Sequence, residues 1–140
     1  MRKAPQIALL GCGYWGKNLA RNLHELGALR LVCDPAESGR LTAEEIAPRV
    51  ETSSEFNDAL RFGDIEAVVI ATPAETHFEL AAAALTVGKD VFVEKPLALQ
   101  ASEGEKLKDL AQELGRVLMV GHLLEYHPAV VRLHELIDAG

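Results

Sequence analysis

Between residues 7 and 16 the chain runs from a short apolar stretch, Ile7-Ala8-Leu9-Leu10, into Gly11-Cys12-Gly13-Tyr14-Trp15-Gly16, and a helical pattern follows at once. An apolar run this short, bounded by glycine, reads as a buried parallel strand rather than a helix. The three glycines fall at the spacing G-x-G-x-x-G. In a strand–turn–helix setting the first permits a sharp turn and the second lets backbone approach a pyrophosphate. The third allows close packing of helix on strand, and the helix that follows offers free N–H groups and a positive dipole end. Glycines also populate ordinary turns, so the spacing alone decides little. Asp34 adds to it: this carboxylate stands eighteen residues after Gly16, at the end of a second apolar run, Leu29 to Cys33. That is close to the offset of the acid that grips an adenosine ribose, and it favours a dinucleotide site over a structural turn.

A chain of 140 residues makes one domain with a sizeable core. Its net charge of −7 comes with no basic block, which argues against nucleic acid and against an anionic membrane surface. No stretch reaches membrane-spanning length, and Met1-Arg2-Lys3 leads toward the first strand without a signal-peptide core, so a cytoplasmic protein is expected. Cys12 and Cys33 both fall at strand ends. A disulfide is conceivable, but a reducing cytoplasm favours two small buried thiols. No Cys/His group has zinc spacing, so no metal is expected.

Along the chain, strands alternate with helices. Leu19, Leu23 and Leu26 mark a helix ending at Gly27, and Leu29 to Cys33 a second strand. Leu41 to Ala47 reads as a short helix stopped by Pro48, and Val50 as the start of a brief strand. A weak helix from Ser54 to Leu60, with Ser54 as N-cap, precedes the β-branched strand Ala67 to Ala71. Phe78, Ala81, Ala82 and Leu85 form a helical face ending at Gly88; Val91 to Val93 is the next strand. Leu107, Leu110, Ala111 and Leu114 mark a helix capped by Gly115, Val117 to Val120 a sixth strand, and Pro128 opens a last helix. This order predicts an α/β fold: a doubly wound parallel sheet of the Rossmann dinucleotide-binding type, with its ligand at the carboxyl ends of the strands.

Several segments together resemble the glucose–fructose oxidoreductase / inositol dehydrogenase (Gfo/Idh/MocA) family. They are Gly11 to Gly16, Ala71-Thr72-Pro73 with His77, and Glu94-Lys95-Pro96, the last being the most specific. The resemblance covers the whole chain but only the family's N-terminal half. It implies a dinucleotide-binding domain over residues 1–121, then a linker and first helix over 122–140 leading toward a substrate domain. In the family that second half carries the usual catalytic histidine and builds the oligomer. Tyr14-Trp15-Gly16-Lys17-Asn18 and Gly121-His122-Leu123-Leu124-Glu125-Tyr126-His127-Pro128 look most like dehydrogenases that oxidise C3 of UDP-linked N-acetylhexosaminuronic acids.

Candidate roles follow. Gly11, Gly13, Tyr14, Trp15 and Gly16 form the pyrophosphate turn, with Trp15 read as lying over the cofactor rather than in the core. Asp34 accepts from the adenosine ribose and repels a 2′-phosphate, which favours NAD over NADP; Arg40 is the nearby cation that would rescue NADP. The resemblance implies that Ala71, Thr72, Pro73, His77, Glu94 and Lys95 border the cofactor, although His77 could equally pack locally. Lys95, stiffened by Pro96 at a strand end, is the candidate catalytic and substrate-binding residue, a proton-moving group beside the nicotinamide; the bland reading pairs it with Glu94. His122 and Tyr126 are candidate substrate contacts, with His127 nearby, or else interdomain packing residues. The expected function is the NAD-binding part of a dehydrogenase acting on a sugar or sugar-nucleotide hydroxyl, incomplete and inactive by itself and homo-oligomeric when full-length. The alternative is a stand-alone NAD-binding or regulatory module without chemistry of its own.

Overall fold

The structure, a computed structural model, describes residues 4–140; Met1–Lys3, which the sequence reading placed ahead of the first strand, lie outside the described residues. Six strands form one sheet: β1 (Ile7–Leu10), β2 (Leu29–Cys33), β3 (Glu51–Ser53), β4 (Ala67–Ile70), β5 (Asp90–Val93) and β6 (Leu118–Val120). Their order is β3-β2-β1-β4-β5-β6 and every neighbouring pair is parallel. Six helices accompany them: α1 (Gly16–Glu25), α2 (Glu37–Ile46), α3 (Asn57–Arg61), α4 (His77–Thr86), α5 (Ala101–Leu114) and α6 (Pro128–Asp138). Short 3-10 turns cover Ala74–Thr76 and Leu123–Tyr126.

Parallel strands need helical crossovers, and here the crossovers cover both faces of the sheet. Because side chains alternate along a strand, the register sorts the core into two layers. Ala8, Leu10, Leu31, Cys33, Val68, Ile70, Val91 and Val93 point to one side, where they meet Ala59 of α3, Ala81, Ala84 and Leu85 of α4, and Leu107 and Ala111 of α5. Leu9, Val32 and Val69 point to the other, against Ala20 of α1 and Ala43 of α2. The chain reverses its winding between β1 and β4, and that reversal opens a crevice at the carboxyl ends of the central strands.

Several boundaries differ from expectation. α2 begins at Glu37, four residues before the first apolar position Leu41, because its first turn is anchored by the loop after β2 rather than by packing. α3 begins at Asn57, not Ser54. Ser53, one residue earlier, supplies the polar contacts there, its hydroxyl accepting from the Glu55 N–H at 3.0 Å and donating to Asp58 at 2.6 Å. β3 starts at Glu51 and β6 at Leu118, one residue later than read, and β4 stops at Ile70 so that Ala71 opens the following loop. Leu26, which shares helical spacing with Leu19 and Leu23, is 71% exposed, since α1 ends at Glu25 and the chain turns away through left-handed Gly27. Leu114 is likewise exposed, as the last residue of α5 before the left-handed Gly115 cap.

Cys12 and Cys33 are free thiols on opposite core layers, despite lying on neighbouring strand ends. Burial pushes the Cys12 thiol up to about 11, with the nearby Asp34 charge adding to the effect, and burial pushes Cys33 up to about 12. Both stay protonated and unreactive at neutral pH. Among the described residues no helix is long and apolar enough to cross a membrane, and no His/Cys/Asp/Glu group is placed to hold a metal.

Candidate functional site

The glycine turn is shaped by contact with its neighbours. Gly11 sits at φ 85°, in the left-handed region, and a Cβ there would lie 2.8 Å from the Ala71 carbonyl oxygen. A Cβ on Gly16 would lie 2.1 Å from the Gly11 carbonyl oxygen, so only glycine lets α1 start this close to the turn. Gly13 is different, because a Cβ there meets nothing within 4 Å. Its smallness serves no protein contact and leaves open space above the backbone. The N–H groups of Gly13, Tyr14 and Trp15 find no acceptor among the described residues, and they sit at the positive end of α1. Three free donors beside open space are what a dinucleotide pyrophosphate requires, so the residues fit that group.

Asp34 closes one side of this turn. It is 9% exposed, and its two carboxylate oxygens accept from the Cys12 N–H at 2.8 Å and the Ala36 N–H at 2.9 Å. One carboxylate thereby joins the glycine turn to the entry of α2. Around it a pocket of about 360 Å³ is lined by Gly13, Lys17, Asp34, Ser38, Gly39 and Thr42. Lys17, Ser38, Gly39 and Thr42 were not singled out from sequence; a glycine and two hydroxyl residues within eight positions of Asp34 were the available signal. Arg40 does not face this pocket as a free cation. Its Nη1 donates to the backbone carbonyls of Asp34 at 2.8 Å and Pro35 at 3.0 Å.

A second, larger cleft of about 930 Å³ opens on the other side of the glycine turn. The ends of β1, β4, β5 and β6 contribute Trp15, Thr72, Glu94, Lys95, Gly121 and His122 to its walls. Trp15 is 42% exposed rather than core, and its indole N–H donates to Glu94 Oε1 at 2.7 Å. The other Glu94 oxygen lies close against Gly121, where a Cβ would stand 3.0 Å from Oε2. Glu94 is thus buried and held, and it does not pair with Lys95. Lys95 itself is exposed, lines the cleft, and meets no carboxylate among the described residues.

His77 is 1% exposed at the first position of α4. Its ring spans two loops, with Nε2 2.9 Å from the Thr72 carbonyl and Nδ1 2.7 Å from the Pro96 carbonyl. Both ring nitrogens are therefore engaged by the protein, and the ring acts as a cross-tie within the cleft wall. The loop after β4 is further braced by Thr72 Oγ1 to Thr76 Oγ1 at 2.7 Å and by Thr76 Oγ1 donating to the Pro73 carbonyl at 2.7 Å. Pro73 is exposed beside it, and the Lys95–Pro96 peptide is cis. His122 lies at the cleft wall, while Tyr126, 71% exposed on the turn beyond, is not among the residues that line it. His127 caps α6, its Nδ1 accepting from the Ala129 N–H at 3.2 Å. No residue of α6 is buried.

A parallel doubly wound sheet with a free-donor glycine turn and a buried acid at the end of the neighbouring strand defines a dinucleotide-binding domain. Residues 6–122 match the family model described as "Oxidoreductase family, NAD-binding Rossmann fold", and the chain belongs to that family, Gfo/Idh/MocA. It is 36% identical over 140 residues to the 2,7-anhydro-N-acetylneuraminate hydratase of Mediterraneibacter gnavus, a match covering 99% of this chain and 37% of that protein. It is 34% identical over 131 residues to the UDP-N-acetylglucosamine 3-dehydrogenase of Acidithiobacillus ferrooxidans, covering 93% of this chain and 41% of that one. Among solved structures, the WlbA dehydrogenase of Thermus thermophilus in complex with NAD and UDP-GlcNAcA superposes with a TM-score of 0.84 at 28% identity, over 96% of this chain and 47% of that one. The chain therefore spans less than half the length of these relatives, and what it comprises is the NAD-binding Rossmann domain of that family.

Proposed function

We propose that this chain is the cofactor half of an NAD-dependent dehydrogenase that oxidises a secondary hydroxyl of a sugar or sugar nucleotide. One observation carries the reading beyond cofactor binding. An exposed, unpaired lysine, Lys95, stands in the same cleft as the free donors of the glycine turn, next to a buried Glu94 that is tied to Trp15 instead. A hydroxyl-oxidising site needs a donor on the reacting oxygen, and Lys95 is the unpaired cation this cleft offers for it. When bound, NAD supplies the hydride acceptor. Lys95 Nζ donates a hydrogen bond to the substrate oxygen and relays the hydroxyl proton, its ammonium giving one proton to the neutral imidazole of His122 as it takes the one the hydroxyl releases, and His122 returns its proton to solvent.

The cleft volume of about 930 Å³ suits a nicotinamide riboside together with one sugar ring. Within that class the C3 hydroxyl of a UDP-linked N-acetylhexosaminuronic acid is the proposed substrate, a reading supported by the UDP-N-acetylglucosamine 3-dehydrogenase relative and by the WlbA dehydrogenase complex with UDP-GlcNAcA, with Lys95 and His122 of the cleft wall and Tyr126 of the turn beyond it as its contacts from this chain. Residues 1–121 act as the cofactor domain, and 122–140 lead toward a substrate domain that also mediates homo-oligomer assembly; α6, none of whose residues is buried, suits such a connection. Two free, buried thiols are compatible with a reducing cytoplasm.

The test is a substrate panel on the protein carried through its substrate domain. NADH formation at 340 nm is followed with inositols, UDP-N-acetylglucosamine and UDP-N-acetylglucosaminuronic acid, and products are identified by mass. Turnover with a sugar nucleotide supports the reading. A product altered by water alone, with no net NADH, would place the protein with its hydratase relative instead.

A further inference from the structure

Gly39, the third residue of α2, is buried directly against the Asp34 carboxylate. A Cβ at Gly39 would stand 2.3 Å from Asp34 Oδ2, 2.4 Å from Cγ and 3.0 Å from Oδ1. The requirement is one of space and not of backbone conformation, since Gly39 does not adopt a positive φ. Its helical geometry is one that alanine adopts readily, and alanine would be the better helix former. What glycine preserves is the seat of the acid: Oδ2 reaches the Cys12 N–H at 2.8 Å only by lying over the bare Cα of Gly39.

We propose that Gly39 is a positioning residue that sets cofactor selectivity by holding the Asp34 carboxylate beneath the adenosine ribose site; this rests on the NAD reading above. A methyl group at position 39 collides with the end of a short side chain, so the carboxylate swings away and the helix stays. Once off the Cys12 N–H, it no longer presents its acceptors to a ribose diol. Nor does it hold negative charge where a 2′-phosphate would sit. Selection between NADH and NADPH then weakens from both sides, although position 39 carries no charge and no hydrogen-bonding side chain.

The experiment is a double-mutant cycle on this chain with wild type, Gly39→Ala, Asp34→Ala and the double variant, each titrated with NADH and with NADPH. Gly39→Ala should weaken NADH binding about tenfold or more, the worth of a charge-assisted hydrogen bond. NADPH should change far less, so the selectivity ratio falls. In the Asp34→Ala background the same substitution should change NADH affinity by less than about twofold, because no carboxylate remains to be displaced. An unchanged ratio in Gly39→Ala overturns the proposal. So does an equal loss in both backgrounds, which would make position 39 a direct ligand contact. If Gly39→Ala does not fold, a folded double variant upholds the collision with Asp34, and an unfolded one overturns it. A wild type that prefers NADPH overturns the cofactor reading itself, a result separate from the other outcomes.

Discussion

The indole N–H of Trp15 and the carboxylate of Glu94, 79 residues apart in the chain, meet at 2.7 Å across the mouth of the cofactor cleft. The bond ties the glycine turn to the end of β5, and Glu94 is buried against Gly121 on its far side. Removing the donor leaves a buried carboxylate oxygen without its partner. Trp15→Phe should therefore cost about 1–3 kcal/mol of unfolding free energy, in addition to the packing change. Glu94→Gln keeps an acceptor oxygen and should cost clearly less. Urea unfolding of both variants checks this, and equal costs would mean that the charge or the ring, not the hydrogen bond, matters.

Gly13→Val should leave the fold nearly intact, because a Cβ at this position meets no protein atom within 4 Å. It should nonetheless abolish measurable NADH binding, since the branched side chain fills the space above the free N–H groups. Circular dichroism and calorimetric titration separate the two effects. Wild-type affinity in the variant would reduce the turn to a structural feature.

The chain should bind NADH more tightly than NADPH, because Asp34 repels a 2′-phosphate and Arg40 is occupied by two backbone carbonyls. Arg40→Ala should then leave NADPH affinity where it was. A loss of NADPH binding in that variant would show that the guanidinium leaves the loop to meet the phosphate.

In the protein carried through its substrate domain, Lys95→Met should lower turnover by on the order of a hundredfold or more while cofactor affinity stays close to wild type. Methionine retains much of the stem and deletes the ammonium. Stopped-flow NADH binding beside steady-state rates gives the pair of values needed. Parallel losses in both would make Lys95 a cofactor ligand and move the proton transfer to His122 or beyond.

Lys89 is buried at the amino end of β5, where its ammonium donates to the carbonyls of Phe62 at 2.9 Å and Ile65 at 2.8 Å. Burial lowers its pKa from the ordinary 10.5, and the Asp64 charge opposes that only in part. The unfolded chain thus binds the proton more tightly, so the penalty is fully present below the folded-state pKa and is relieved as pH rises toward 10.5. Relative to Lys89→Met, wild type should gain stability over that window. A difference that is flat with pH would mean that the ammonium is as well solvated in the fold as outside it.

The fold class was legible in the sequence because its signals are local. Strand length, β-branched runs, helical spacing and the glycine stops at Gly27, Gly88 and Gly115 each act within one element, and their alternation leaves a parallel sheet as the way to bury them all. The glycine turn and Asp34 were legible for the same reason, being a fixed offset along one strand–turn–helix–strand unit. Element ends were less so: α2 starts on the loop held by Asp34, and α3 on contacts of Ser53, neither of which leaves an apolar period to read.

What only the tertiary structure decided are relations between distant loops. That Trp15 faces Glu94, that His77 is committed to the carbonyls of Thr72 and Pro96, and that Lys95 is left unpaired depend on how β1, β4 and β5 lie side by side. Gly39 is the sharpest case. In sequence it is an unremarked glycine in a polar helix, and its meaning comes from an oxygen atom 2.3 Å from a side chain it does not have. Spacing along the chain specifies which backbone turns form, whereas the partner of a polar side chain is settled by whichever group the packed sheet brings within reach, and that is a property of three dimensions.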